Sequence, residues 1–134
     1  MIKTLYNVVN NKYEKYKEES LKPDFKKKYT LEERKEKSEV ILEKYPDRIP
    51  IICYTSLQLP KLTQSKFLVS DDLSYTNFLF MLRKRMELNE GQSIYIFINK
   101  KLMSSNMLIK HIYEKNKDKD GFLYAYICSE NTFG

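Results

Sequence analysis

Three short runs of this chain, Arg48-Ile49-Pro50-Ile51-Ile52-Cys53-Tyr54, Gln92 to Ile98 and Gly121 to Ile127, carry large apolar or aromatic side chains at odd and even positions alike. Successive strand residues point to opposite faces, so each run needs cover on both faces of a sheet. In the second run Ile94, Ile96 and Ile98 would share one face and Tyr95 and Phe97 the other. A shorter strand is predicted at Lys66-Phe67-Leu68-Val69, and Pro50, which has no N–H to donate, should stand near the start of its strand. Helices alternate with these runs. Thr30 with Glu33 forms an N-terminal capping box for a helix over 31–44, whose Leu31, Ser38, Leu42 and Tyr45 would lie on one face. Asp71-Asp72 and Ser74 open a second helix over 75–86, and Arg83-Lys84-Arg85 closes it in agreement with the helix dipole. Its inward face should be Tyr75, Leu79, Leu82 and Met86, with Phe78, Met81 and Arg85 on a separate face. A third helix is predicted over 107–114. The order helix, strand, strand, helix, strand, helix, strand defines an α+β domain with one small mixed sheet, its second face covered by the helical N-terminal region.

A chain of 134 residues fits one domain with one modest core. Residues 1–20 carry a thin apolar stripe, Leu5, Val9, Tyr13 and Tyr16, at helical spacing, and Pro23 ends any helix begun there. Residues 1–24 therefore read as a partly ordered or helical extension, residues 25–134 as the domain, and residues 128–134 as a flexible tail. The net charge of +6 is interspersed with acidic residues and predicts only a general attraction to anionic surfaces. Apolar stretches such as Ile94 to Ile98 are far short of the roughly 20 residues that span a bilayer. Membrane attachment would thus be peripheral or covalent. Cys53 and Cys128 sit apart in apolar strands, the pattern of reduced buried thiols in a cytosolic protein.

Few motifs point to catalysis or metal binding. Asn116-Lys117-Asp118-Lys119-Asp120-Gly121 imitates the first half of a calcium loop, but Ile127 stands where a bidentate Glu is required, so a polar turn is expected instead. His111 is the sole histidine and has no partners at metal or triad spacing. Neither cysteine adjoins a basic residue that would activate it. The expectation is a protein that is not an enzyme and needs no cofactor or metal. The Lys-rich stretches lack an RNA-binding signature, and solvated helix faces explain them better than a specific nucleic-acid site. A small domain ending on Gly134 does present an unhindered carboxylate, suited to adenylation, thioester transfer and amide formation.

Taken in order, Tyr45-Pro46-Asp47-Arg48-Ile49-Pro50-Ile51-Ile52-Cys53, Lys66-Phe67-Leu68-Val69, Phe80-Met81-Leu82-Arg83-Lys84-Arg85, Lys117-Asp118-Lys119-Asp120-Gly121-Phe122-Leu123-Tyr124 and Glu130-Asn131-Thr132-Phe133-Gly134 closely resemble the autophagy-related protein 8 family, the ubiquitin-like modifiers that include the GABARAP proteins. The resemblance covers about residues 25–134 in one register. It implies a ubiquitin-like β-grasp with a four-stranded mixed sheet and two added N-terminal helices. It also implies lipid conjugation: an E1-like enzyme adenylates the Gly134 carboxylate, an E2-like enzyme carries it as a thioester, and an amide forms with phosphatidylethanolamine. A cysteine protease would deconjugate it. Gly134 would be encoded as the last residue or exposed by processing. Localisation would be cytoplasm and, when lipidated, the autophagosomal membrane, with a plastid membrane as the alternative. An unconjugated ubiquitin-like adaptor is the rival reading.

The resemblance further implies docking of receptor and adaptor peptides of the type aromatic-x-x-aliphatic on a strand edge. A first pocket would use Ile41, Pro50, Ile52, Lys66, Leu68 and Phe122, a second Phe67, Val69, Leu73, Phe78 and Met81, and Arg48 and Arg85 would join Lys66 in meeting acidic flanks. Departures from the family pattern are Lys37 for an acidic residue, Gln64-Ser65 for a basic pair, Ser70 for proline, Leu102-Met103-Ser104 for Leu-Pro-Pro, and Ser129 for glycine.

Overall fold

The computed structural model describes residues 22–57, 59–89 and 91–129. The stripe at Leu5 to Tyr16 and the terminal Glu130 to Gly134 lie outside these residues. Two helices open the described chain, α1 (Asp24–Lys28) and α2 (Leu31–Lys44). The capping box expected at the start of α2 is formed: Glu33 N–H donates to Thr30 Oγ1 at 3.2 Å, and Thr30 N–H donates to Glu33 Oε1 at 2.9 Å. That bond to Thr30 holds the Glu33 carboxyl below its ordinary range. Strands β1 (Arg48–Thr55) and β2 (Lys66–Ser70) follow, then α3 (Tyr75–Met86), β3 (Ile94–Phe97), α4 (Ile109–Asn116) and β4 (Leu123–Ser129). Ser74 caps α3 by accepting from Asn77 N–H at 3.1 Å.

The sheet has the order β2-β1-β4-β3, with the central pair β1/β4 parallel and both outer pairs antiparallel. Its register sorts side chains by face. Ile51, Cys53, Leu123, Ala125, Ile127, Ile96, Phe67 and Val69 form one core with Phe78 and Leu82 of α3 and Ile109 and Ile112 of α4. Burial pushes the Cys53 thiol far above its ordinary pKa and Cys128 up to about 12, so both are held as neutral thiols. The opposite, outer face carries Pro50, Ile52, Tyr54, Leu68, Tyr124, Tyr126 and Phe97. Helices α1 and α2 lie against part of it, as the two-faced runs require: the Phe25 ring meets Phe122 edge-on at 4.9 Å, and Ser38 of α2 is only 2% exposed.

A polar latch fastens these helices to the sheet. Asp120 sits buried where β4 begins; Arg34 Nε donates to its Oδ2 at 2.8 Å, the Phe122 N–H to its Oδ1 at 2.8 Å, and the Tyr124 hydroxyl also donates to it. Ser38 Oγ donates to the Asp120 carbonyl, and Lys26 Nζ pairs with Asp118 at 2.7 Å. The loop that imitates a calcium site therefore spends its carboxylates on Lys26 and Arg34, and Asn116 accepts from Asn99.

Several boundaries and one face differ from expectation. Phe78, expected off the inward face of α3, is fully buried, while Leu79 is only half-buried. Helix α4 begins and ends two residues later than predicted, and β4 runs on to Ser129, because Ile94 and Tyr95 pair with Ser129 and Cys128. The first two residues assigned to a flexible tail are thus buried strand. At the other boundary, α1 already starts at Asp24, within the stretch assigned to the extension.

Candidate functional site

Because β2 pairs only with β1 among the described strands, its other edge is open. Cys53 N–H donates to the Ser65 carbonyl at 2.8 Å, which with the antiparallel register makes 51/67 and 49/69 the hydrogen-bonded pairs. The backbone groups of Lys66 and Leu68 then point away from β1, along the open edge. Pro50 faces Leu68 at a position that needs no bond to β2, and the β1/β4 ladder begins one residue later at Ile51, so its missing N–H costs no ladder bond.

Side chains of β2 alternate about this edge. Lys66 and Leu68 lie on the outer face opposite Ile52 and Pro50, and Leu68 remains 37% exposed, a large apolar group left uncovered beside buried neighbours. Between this face and α2 runs an open groove of about 440 Å³, lined by Glu33, Glu36, Lys37, Val40, Ile41 and Lys66. Of the residues expected at a first pocket, Ile41 and Lys66 line the groove, Leu68 follows Lys66 by two residues on the same face of β2, and Pro50, Ile52 and Phe122 are buried, Ile52 lining a separate hollow with Pro23, Phe25 and Tyr54. Phe67 and Val69 point the other way. With Phe78 they are buried in the core, and Leu73 and Met81 pack half-buried against it. Of the residues expected at a second pocket, Phe67, Val69 and Phe78 thus belong to the buried main core, while Leu73 and Met81 stay partly exposed at its margin. Of the charged rim, Arg48 is exposed at the start of β1, and the Arg85 guanidinium lies 5.5 Å over the Phe67 ring.

Reading the sequence did not find Glu33, Glu36 and Val40 as groove lining; their spacing along α2 was the available signal. Gln64, noted as a departure, has a contact that its sequence position did not reveal: its side-chain amide donates to the Lys66 carbonyl at 2.8 Å and so occupies one acceptor of the open edge. Lys37, noted as a departure, lies in the groove with its ammonium 4.4 Å over the Tyr29 ring, so the groove carries a cation at each side, Lys37 and Lys66. Among the described residues no cluster of His, Cys, Asp or Glu could hold a metal, and no helix is long and apolar enough to cross a membrane.

A mixed four-stranded sheet packed by α3 and α4 on one face and fronted by two N-terminal helices on the other is a ubiquitin-like fold. The chain matches the family described as autophagy protein Atg8 ubiquitin like over residues 33–134, and it belongs to that family. It is 42% identical over 112 residues to autophagy-related protein 8 of Mycosarcoma maydis, a match covering 82% of this chain and 95% of the relative. It is equally 42% identical over 112 residues to autophagy-related protein 8i of Arabidopsis thaliana, covering 82% and 97%. The crystal structure of Trypanosoma brucei ATG8 superposes with a TM-score of 0.79 at 36% identity, covering 84% of this chain and 99% of that one. Family membership assigns the chain a role in autophagy as a ubiquitin-like modifier.

Proposed function

We propose that this protein is joined through the Gly134 carboxylate to phosphatidylethanolamine and, on the membrane so reached, recruits receptors and adaptors carrying an aromatic-x-x-aliphatic segment. The observation that carries the recruiting half is the open β2 edge, with an uncovered Leu68 and a groove on its outer face and Phe67 and Val69 in the core on its inner face. A peptide added to that edge as a strand places residues i and i+3 on opposite faces, because side chains alternate with period two. The aromatic residue enters the groove between α2 and β2, with Leu68 and Ile41 at its walls. The aliphatic residue presses between Phe67 and Met81, which requires side chains there to move because Phe67 is buried. Acidic residues beside the motif meet Lys66, Lys37, Arg48 and Arg85.

For the conjugating half, the terminal glycine and the family support one sequence of steps. An E1-like enzyme forms the Gly134 acyl-adenylate, an E2-like enzyme takes the acyl group as a thioester, and the lipid amine displaces the thiolate to give an amide. A cysteine protease reverses the last bond. Two buried acyl chains, at about 0.8 kcal/mol per CH₂, hold the domain on an autophagosomal membrane far more firmly than its diffuse basic charge could. Calorimetry with an aromatic-x-x-aliphatic peptide tests the docking reading: Lys66→Glu or Leu68→Ala should weaken binding by at least about 1 kcal/mol. Unchanged affinity in both variants would remove β2 as the docking edge.

A further inference from the structure

The loop that imitates half a calcium site carries lysines between its carboxylates, and the fold sorts the two kinds of side chain. Asp120 is buried and held by Arg34, while Lys117 and Lys119 are exposed and line a hollow of about 350 Å³ on the outer face of the sheet. Lys26 of α1 and Lys100 of the turn after β3 line it too, so ammonium groups from three separate segments converge there. Among the described residues of the lining, Asp118 is the one carboxylate, and it is already paired with Lys26 at 2.7 Å. Like charges gathered in a concavity focus a field that attracts a multivalent anion. The Asp118 carboxyl senses that field: burial raises its pKa, yet Lys26, the Asp120 N–H and Arg34 outweigh burial and hold it below its ordinary value.

We propose that this hollow binds an organic phosphate ester carrying at least two phosphate groups, such as an inositol phosphate, either free or as the headgroup of an anionic lipid. One phosphate monoester brings a charge of about −1.5 to −2 at pH 7, too little to balance four lysines offset by a single carboxylate. The volume falls within the range of small-ligand sites, about 300–1,000 Å³. Tyr54, Phe97 and Tyr124 offer a wall for the carbon skeleton, and each lysine has three donors for phosphate oxygens. The frame is set in advance: the Asn99 amide donates to Asn116 at 2.9 Å, the Asn116 amide to the Ile112 carbonyl at 2.9 Å, and Lys26 lies 4.5 Å over the Tyr124 ring. Lys100 stands at a φ of 65°, where glycine is unstrained and lysine is not, and strain of this kind gathers at ligand clamps.

Calorimetry of the full chain with inositol trisphosphate at low salt tests this, beside sedimentation with phosphatidylcholine vesicles that do or do not contain phosphatidylinositol bisphosphate. The native chain should bind the free compound, and Lys117→Gln/Lys119→Gln should weaken binding at least roughly tenfold. Lys61→Gln/Lys84→Gln removes the same charge from exposed lysines outside the hollow and should leave the affinity unchanged. Lys100→Gly should weaken binding about threefold or more while its unfolding midpoint rises, which separates ligand contact from loss of fold. Vesicle binding with the same dependence on Lys117 and Lys119 identifies a lipid headgroup as the source, and its absence a soluble ester. Equal weakening in the Lys61/Lys84 control would reduce the hollow to diffuse basic charge and overturn the proposal. So would failure to bind inositol trisphosphate, including the case in which a homopolymeric RNA binds through Lys117 and Lys119 instead.

Discussion

Gly121 is the residue at which the docking of α2 onto the sheet is most sensitive to a single added atom. Its φ is +89°, and a Cβ placed there would stand 2.4 Å from Ser38 Oγ and 3.0 Å from Ser38 Cβ. An L-residue at positive φ costs about 1–2 kcal/mol, and forcing a methyl into a closed contact costs a further ~1–3 kcal/mol. Ser38 cannot swing aside freely, because it is buried on α2 and its hydroxyl donates to the Asp120 carbonyl. Gly121→Ala should therefore destabilise the protein by about 2–5 kcal/mol, a large part of the roughly 5–15 kcal/mol typical of a domain. Urea unfolding monitored by circular dichroism measures this, as a lower midpoint at constant slope. Combining the change with Ser38→Ala separates the two causes. Ser38→Ala alone should cost about 1 kcal/mol for the lost hydrogen bond, yet the double variant should be less destabilised than the sum by at least ~1 kcal/mol, because the nearest overlapping atom is gone. A Gly121→Ala effect below ~1 kcal/mol, additive with Ser38→Ala, would refute the packing argument.

Two further predictions concern the same framework. Asn99 and Lys100 form a two-residue turn with φ of 50° and 65°, closed by the bonds between Ile98 and Lys101, so Lys100→Gly should raise stability by roughly 0.5–1 kcal/mol in the same unfolding assay. At Asp118, burial raises the carboxyl pKa, but the Lys26 ammonium, the Asp120 N–H and the Arg34 charge outweigh it and leave the group below its ordinary value. A lowered folded pKa contributes stability that is present above the ordinary carboxylate range and lost as pH falls through the folded value. Lys26→Met should hence cost about 1 kcal/mol or less at pH 7, given partial exposure, and the difference should shrink and vanish as pH falls through the lowered folded value, below the ordinary carboxylate range. A difference that persists in acid would mean that Lys26 acts through packing on Tyr124, over whose ring it lies at 4.5 Å.

What was legible in the chain followed from signals that are local. The Thr30/Glu33 box and Ser74 marked the starts of α2 and α3, and the bounds of both helices match because their caps are made by neighbours in sequence. The two-faced runs at Ile51, Ile96 and Ala125 foretold a sheet covered on both sides. Other features depend on partners far along the chain. Phe78 and Leu79 both fit the 3.6-residue period with Leu82, and only the position of the sheet decides that Phe78 goes inside. Ser129 looks like a polar tail residue, yet its pairing with Ile94 buries it. For the candidate site, the family resemblance set Lys66 and Leu68 apart from Phe67 and Val69, and strand alternation is the physical reason the two pairs face opposite ways. The burial of Phe67, Val69 and Phe78 in the main core, and the Gln64 amide on the β2 edge, arise from side-chain packing that no local pattern encodes. Helix α1 spans only 5 residues, too few for periodicity to mark it.

The claim on which the functional account rests is that Gly134 is the point of attachment to a lipid. Intact-mass measurement after incubation with E1-like and E2-like conjugation enzymes, ATP and vesicles containing phosphatidylethanolamine tests it most directly. The native chain should gain the mass of one phospholipid less one water, with fragmentation placing it on Gly134, and the chain lacking Gly134 should remain unmodified. Lipid addition to the chain lacking Gly134, or a native chain that stays unmodified while an established family member is conjugated in the same reaction, would contradict the account.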